Sequence, residues 1–328
     1  MNNSNSNINI NININIEHLV LSGGGFLGIS YIGLYKYFEE KKILNNLKSI
    51  TGCSAGALFG TFFAIGYNSY EIENIMKAMI FKDYLKINVD SILNFINTKG
   101  FESGHNLNLF IKKCIKDKTG NENITFLEIQ EKYKIKLQIG VTNLTKNKFE
   151  LFNVDSTPDI SVEKAISASI AIPFIFEPII IGDDIYCDGG LLENLPIENL
   201  ISLINIEPTI EKDIEKDIEK TSEMQLNDKS SNNTLSILGF YLISKSNLIN
   251  KYNYKSVSLT QYINILTHTI GKNFISKKIE DENKYKYKII TIEIPCDIMT
   301  VVKLNTSHDD INNVIDIAYN ITKNELKI

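Results

Sequence analysis

Two glycine-bearing turns, separated by a single helical segment, constrain this chain more than any other feature. The first follows the apolar run His18-Leu19-Val20-Leu21-Ser22 and reads Gly23-Gly24-Gly25-Phe26-Leu27-Gly28. The second follows Leu47-Lys48-Ser49-Ile50-Thr51 and reads Gly52-Cys53-Ser54-Ala55-Gly56. Each leads into an apolar helical pattern, so residues 18–56 predict one βαβ unit. Its crossover is right-handed, and its two parallel strands commonly lie side by side. Both turns then emerge at the carboxyl edge of one sheet, where open α/β proteins hold their ligands.

The first turn satisfies G-x-G-x-x-G, the phosphate-cradling pattern of dinucleotide sites. Such a site also needs a carboxylate at the end of the second strand for the ribose hydroxyls. Glu39 and Glu40 fall in the intervening helix instead, and the second strand ends in G-x-S-x-G. At a nucleophile elbow the chain turns sharply from strand to helix and presents a serine, with glycines where side chains would block the turn. Taken alone, Ser54 reads equally well as the N-cap of the helix that follows. The neighbouring turn favours the nucleophile. The Gly23, Gly24 and Gly25 amides would lie beside Ser54 Oγ, and a nest of backbone donors beside a serine can hold a transient oxyanion.

A serine hydroxyl needs a proton acceptor. The chain has four histidines, His18, His105, His268 and His308, none inside a recognisable motif. A triad in the order Ser, Asp, His would recruit His268 or His308, and that alternative stays open. The other candidate is Asp188 in Ile185-Tyr186-Cys187-Asp188-Gly189-Gly190. A strand-like run delivers it to a strand end, although an ordinary Asp-Gly turn accounts for the same residues.

These three stations together resemble the patatin-like phospholipases, lipid acyl hydrolases with a G-G-G-x-[K/R]-G loop, a G-x-S-x-G elbow and a later D-G-[A/G]. Residues 165–179, 188–196 and 99–107 are similar to further stretches of that family, including A-x-x-A-S-x-A-x-P and D-G-G-x-x-x-N-x-P, with Asn194 and Pro196 in place. The resemblance implies a Ser–Asp dyad of Ser54 and Asp188 without histidine. It also implies an oxyanion hole at Gly23, Gly24, Gly25 and Gly28, with Gly52, Gly56, Gly189 and Gly190 supporting the turns. Where the family carries Arg or Lys in the loop, this chain has Leu27. Loss of one oxyanion-hole donor costs roughly 10² to 10³ in rate, so reduced or altered activity is expected rather than none.

The rest of the chain frames that core. Alternating strand and helix patterns from Glu17 to about Leu200 predict an α/β fold, three-layer α/β/α with a mostly parallel central sheet and the elbow at its carboxyl edge. Residues 1–16 form an Asn/Ile low-complexity tail, expected to lie outside the core. Residues 201–234 form a charged insertion with Ile-Glu-Lys-Asp repeats, and 235–328 supply strands and helices completing the same domain. The run 165–182, broken by two prolines and Glu177, reads as buried strands and turns. Residues 258–275 and 307–327 read as helices, and 284–288 as a lysine-guarded edge strand.

Composition narrows the function classes. A net charge of −5 gives no electrostatic reason for a nucleic-acid partner. The four cysteines are scattered, which points to free thiols in a reducing, cytoplasmic compartment. Without metal-ligand spacing among histidines and cysteines, no metal or other cofactor is expected. No apolar run reaches the ~20 residues of a membrane span, and the N-terminus lacks signal-peptide character. All basic residues are Lys, and Ile and Asn abound, the mark of an A/T-rich genome such as that of an intracellular parasite or a large DNA virus.

The expected partners are a phospholipid or other acyl-ester lipid and a peripheral membrane surface. The oligomeric state is not legible. The competing reading is a catalytically weak or inactive lipid-binding or host-interaction protein on the same fold, motivated by Leu27 and the long insertion.

Overall fold

The computed structural model describes residues 14–79, 84, 89–204, 235–244, 278, 287–294 and 307–327. Residues 205–234 of the insertion expected at 201–234, the helix expected at 258–275, His268 and Cys296 lie outside them, while residues 201–204 close the helix Ile197–Ile204 instead of opening the insertion. The first half runs β1 (Ile14–Leu21), α1 (Ser30–Lys41), β2 (Ser49–Cys53), α2 (Ala55–Ala64), α3 (Ser69–Ala78) and α4 (Val89–Thr98). Then come β3 (Gly100–Glu102), α5 (His105–Thr119), α6 (Phe126–Tyr133), β4 (Lys136–Asn143) and β5 (Lys148–Asn153). The remainder is α7 (Val162–Ser169), β6 (Phe174–Phe176), β7 (Ile179–Ile181), β8 (Asp184–Asp188), α8 (Ile197–Ile204), β9 (Leu235–Ser244), β10 (Tyr287–Ile294) and α9 (His308–Leu326).

Eight strands form one mixed sheet in the order β10-β9-β1-β2-β4-β8-β7, with β5 also paired to β4. From β10 to β4 the pairs are all parallel, and β5, β7 and β8 add antiparallel pairs. β1 and β2 are direct neighbours, with Leu21 opposite Gly52, so the βαβ unit is built as its sequence predicts. Period-2 alternation then sorts side chains between the two faces. Leu19, Leu21, Ile50, Ile139 and Val141 enter the larger core, which α1, α2 and α9 help to build. Val20, Ile237, Tyr241 and Ile289 pack with Leu200 and Ile201 of α8 on a smaller core. Helices, sheet and helix make the three layers. Each fully buried Leu or Ile contributes about 1.5–3 kcal/mol.

Some local readings change. β1 begins at Ile14 and Ile16 is fully buried, so residues 14–16 of the expected tail already belong to the sheet. Within the run 165–182, the first residues close α7 instead of forming strand or turn. Ser161 caps that helix by accepting from the Lys164 amide, and the helix ends four residues before Pro173. β10 is an edge strand, and its Lys288 is ion-paired to Glu325 of α9. Ser307 opens α9 through a capping box with Asp310, two reciprocal bonds that satisfy the first-turn donors.

The pairing around β4 positions the site. β2 runs parallel to β4 over residues 136–140 of β4, with Cys53 opposite Gly140. β8 runs antiparallel to β4 over residues 141–143, with Asp188 opposite Val141. β5 pairs with β4 across 138–143 and so occupies the other edge. A strand has only two edges. β2 and β8 therefore share one edge of β4 and meet end to end on it, their last residues facing consecutive positions of β4.

Candidate active site

Ser54 sits where β2 breaks into α2, with φ 51° and ψ −118°. A non-glycine residue held at positive φ costs roughly 1–3 kcal/mol and persists only when its surroundings enforce it. The enforcement is visible. A Cβ on Gly52 would lie 2.2 Å from the Gly56 carbonyl oxygen, and one on Gly56 would lie 2.2 Å from that of Leu21. Only hydrogen at both positions lets α2 start against the ends of β1 and β2. The Ser54 amide donates to Ser169 Oγ at 2.8 Å. Ser54 stands at the N-cap position of α2, yet its side chain makes no capping bond. Its hydroxyl is left for other work.

Asp188 closes β8 and is buried. Burial pushes its carboxyl up to about 6, while hydrogen bonds from the Ser54 side chain and the Gly190 amide pull the other way. The Asp-Gly turn read in the sequence is also present, since Gly190 N–H donates to Asp188 Oδ1 at 2.7 Å. Turn geometry and proximity to Ser54 coexist in one residue. Behind it the packing is tight. A Cβ on Gly189 would meet the Gly140 carbonyl oxygen at 2.5 Å and Cys53 Sγ at 2.7 Å, and one on Gly190 would meet Asn194 Oδ1 at 2.8 Å. The buried Cys53 thiol is pushed well above its usual value by burial first and by Asp188 second. It is a packed, protonated thiol.

The glycine loop divides its duties. Gly23 N–H donates to the Asn194 carbonyl at 3.2 Å, and Asn194 Nδ2 donates back to the Gly23 carbonyl at 3.3 Å. The Gly23 amide is thus engaged in a clamp between the two loops, leaving Gly24 and Gly25 as the candidate oxyanion donors. Gly25 is exposed, at φ 55°. Gly28 serves packing, because a Cβ there would meet Ala55 and Phe59 of α2 within 3 Å. Leu27 is 5 % exposed and belongs to the main core, so the position that resembles the family's basic residue carries an apolar anchor.

Asn194 was legible only as part of D-G-G-x-x-x-N-x-P. Ser169 was legible only as a polar residue in the small-residue run A-x-x-A-S. Neither announced a bond to the opposite loop.

The described histidines fall elsewhere. His18 bonds Ser49 Oγ at 2.8 Å within the β1–β2 pair, and burial lowers its pKa. His105 starts α5, and His308 Nε2 lies 3.0 Å from the Lys77 carbonyl at the end of α3. Among the described residues, no group of three His, Cys, Asp or Glu side chains is arranged to hold a metal.

A serine on a strained strand-to-helix elbow, facing a buried carboxylate and with the glycine loop packed against it at Gly23, is suited to acyl transfer. The patatin-like phospholipase profile matches residues 19–201, and the chain belongs to that family. A probable lipid hydrolase of invertebrate iridescent virus 6 is 31 % identical over 189 residues, covering 57 % of this chain and 64 % of that one. An uncharacterized protein of Acanthamoeba polyphaga mimivirus is 36 % identical over 183 residues, covering 56 % of this chain and 60 % of its own length. The similarity thus spans less than two thirds of either viral relative. Among solved structures, VipD from Legionella pneumophila shares the fold with a TM-score of 0.50 at 18 % identity, covering 95 % of this chain and 67 % of that one.

Proposed function

We propose that the chain is a lipid acyl hydrolase of phospholipase A or lysophospholipase type, with Ser54 as nucleophile and Asp188 as its base. The observation that carries this reading is the end-to-end meeting of β2 and β8 on one edge of β4, which brings a strained serine against a buried carboxylate. Asp188 takes the Ser54 proton as Oγ attacks the ester carbonyl. The Gly24 and Gly25 amides hold the resulting oxyanion. Collapse expels the alcohol, which recovers the proton from Asp188, and an acyl-serine remains. Water then gives a proton to Asp188, attacks the acyl carbon and releases the fatty acid, and the proton returns to Ser54. With its carboxyl near 6, Asp188 is ionised at neutral pH yet more basic than a free aspartate at about 3.9.

A peripheral membrane surface is the proposed place of work. Ile92, Leu93 and Ile96 of α4 are 58 %, 71 % and 77 % exposed, and Phe174 of β6 is 55 % exposed. Phe95 links them, stacking on Phe101 and lying 6.2 Å from the Phe174 ring. The exposed group is joined to the site through the short α7–β6 connection, where the Ala171 carbonyl accepts the Asp188 amide. Among the described residues no helix is long and apolar enough to cross a membrane. The buried free thiols Cys53, Cys114 and Cys187 support a reducing compartment, and the viral relatives agree with the A/T-rich composition.

The second reading, a weak or inactive lipid-binding protein, rests on buried Leu27. One experiment separates them. Phospholipid and lysophospholipid vesicles are incubated with wild type, Ser54→Ala and Asp188→Asn, and released fatty acid is quantified by mass spectrometry. Hydrolysis by wild type alone is expected. Undiminished turnover in either variant refutes the dyad, and a folded wild type whose Ser54 never reacts with a fluorophosphonate favours the binding protein.

A further inference from the structure

The Ser169 hydroxyl uses both of its hydrogen-bonding roles on the main chain around the site. It accepts the Ser54 amide at 2.8 Å and donates to the Gly140 carbonyl at 2.6 Å. Gly140 is the β4 residue opposite Cys53, where the parallel pairing with β2 ends. Two residues beyond Ser169, the Ala171 carbonyl accepts the Asp188 amide at 2.9 Å. The end of α7 therefore grips the main chain of both reacting residues within three positions. Ser169 is fully buried, so water cannot stand in for its hydroxyl.

We propose that Ser169 is a positioning residue, whose hydroxyl locks the strained Ser54 main chain against β4 and so sets the separation of nucleophile and base. The proposal rests on the Ser54–Asp188 reading and extends it. Two consequences follow from the geometry. The Ser54 amide is spent on Ser169, so it is no oxyanion donor, and that duty falls to the glycine loop. Removal of the hydroxyl strands the buried Ser54 amide and leaves the Gly140 carbonyl only the weak Cys53 thiol donor at 4.0 Å, and a stranded buried group drives local rearrangement to find a partner. Relaxation of the elbow would carry Oγ away from Asp188. A misplacement of about 1 Å at a reacting atom costs on the order of 100-fold in rate.

The test compares wild type, Ser169→Ala and Ser169→Cys, each counted by its folded fraction, with Ser54→Ala alongside. Turnover of a short-chain p-nitrophenyl ester gives kcat and KM, and a fluorophosphonate gives the labelling rate of Ser54. Both variants are expected to lose about 10- to 100-fold in kcat and in labelling rate, with KM within about threefold. The acid limb of their pH–rate profiles is expected to move to higher pH, because the Ser54 hydrogen bond that lowers the Asp188 carboxyl is weakened.

Cysteine keeps the shape of the side chain and replaces a strong acceptor by a weak one, so it carries the same expectation should the alanine variant not fold. Wild-type kcat, labelling rate and pH profile in either folded variant, with only a lower melting temperature, would reduce Ser169 to a structural serine and overturn the proposal. Turnover that survives in Ser54→Ala would instead overturn the dyad beneath it.

Discussion

Asp188→Asn should alter stability in a way that depends on pH, and the dependence can be worked from its burial. The folded carboxyl titrates at about 6 against 3.8 for the free group, so the folded state holds its proton more tightly than the unfolded one. The stabilisation from protonating Asp188 is thus fully present below about pH 4 and lost as pH rises through 6. Linkage with these two values gives a loss on the order of 1 kcal/mol between pH 5 and pH 8, approaching about 3 kcal/mol from the acid limit. Asparagine has no such titration and keeps the Oδ1 that accepts the Gly190 amide. In urea melts the variant should therefore gain on the order of 1 kcal/mol on wild type as the pH is raised from 5 to 8. It should also have lost fatty-acid release at every pH. A wild type–variant difference that does not change between pH 5 and pH 8 would show that Asp188 titrates as an ordinary exposed carboxylate, and the burial argument would fall.

Ser54→Gly should abolish fluorophosphonate labelling while raising unfolding free energy by up to about 1 kcal/mol, since glycine occupies φ 51° without strain. Equilibrium unfolding checks the sign. Gly56→Ala places a methyl 2.2 Å from the Leu21 carbonyl oxygen and should cost at least about 2 kcal/mol, read from denaturant melts or loss of soluble yield. His308→Asn and His268→Asn should leave ester turnover unchanged, whereas a histidine triad would lose several orders of magnitude at one of them.

The βαβ unit was legible because its parts are neighbours in sequence. Gly23–Gly28 and Gly52–Gly56 each mark a strand end, and parallel pairing of adjacent strands followed from short connection rules. Asp188 was legible as a carboxylate at a strand end, but its direction of arrival was not. It comes antiparallel along an edge of β4, and β4 carries no motif, so the pairing that joins Cys53–Gly140 to Val141–Asp188 could not be read locally. The Gly23 amide shows the same limit, because its loss to the Asn194 carbonyl depends on a contact across most of the matched region. α7 was hidden by composition. Its Ala165, Ala168 and Ser169 are small enough for close packing, and the Ile and Pro residues around them mimic strand and turn.

Because one edge of β4 carries both reacting residues, that strand acts as a fixed caliper for them. The long stretch of chain between Ser54 and Asp188 can lengthen or shorten at its surface loops without altering their spacing. A slip of β8 along β4 by two residues would keep every inward side chain facing inward and still part the pair by some 7 Å. Drift within such a lineage should therefore accumulate in the loops and spare the lengths of these two short strands.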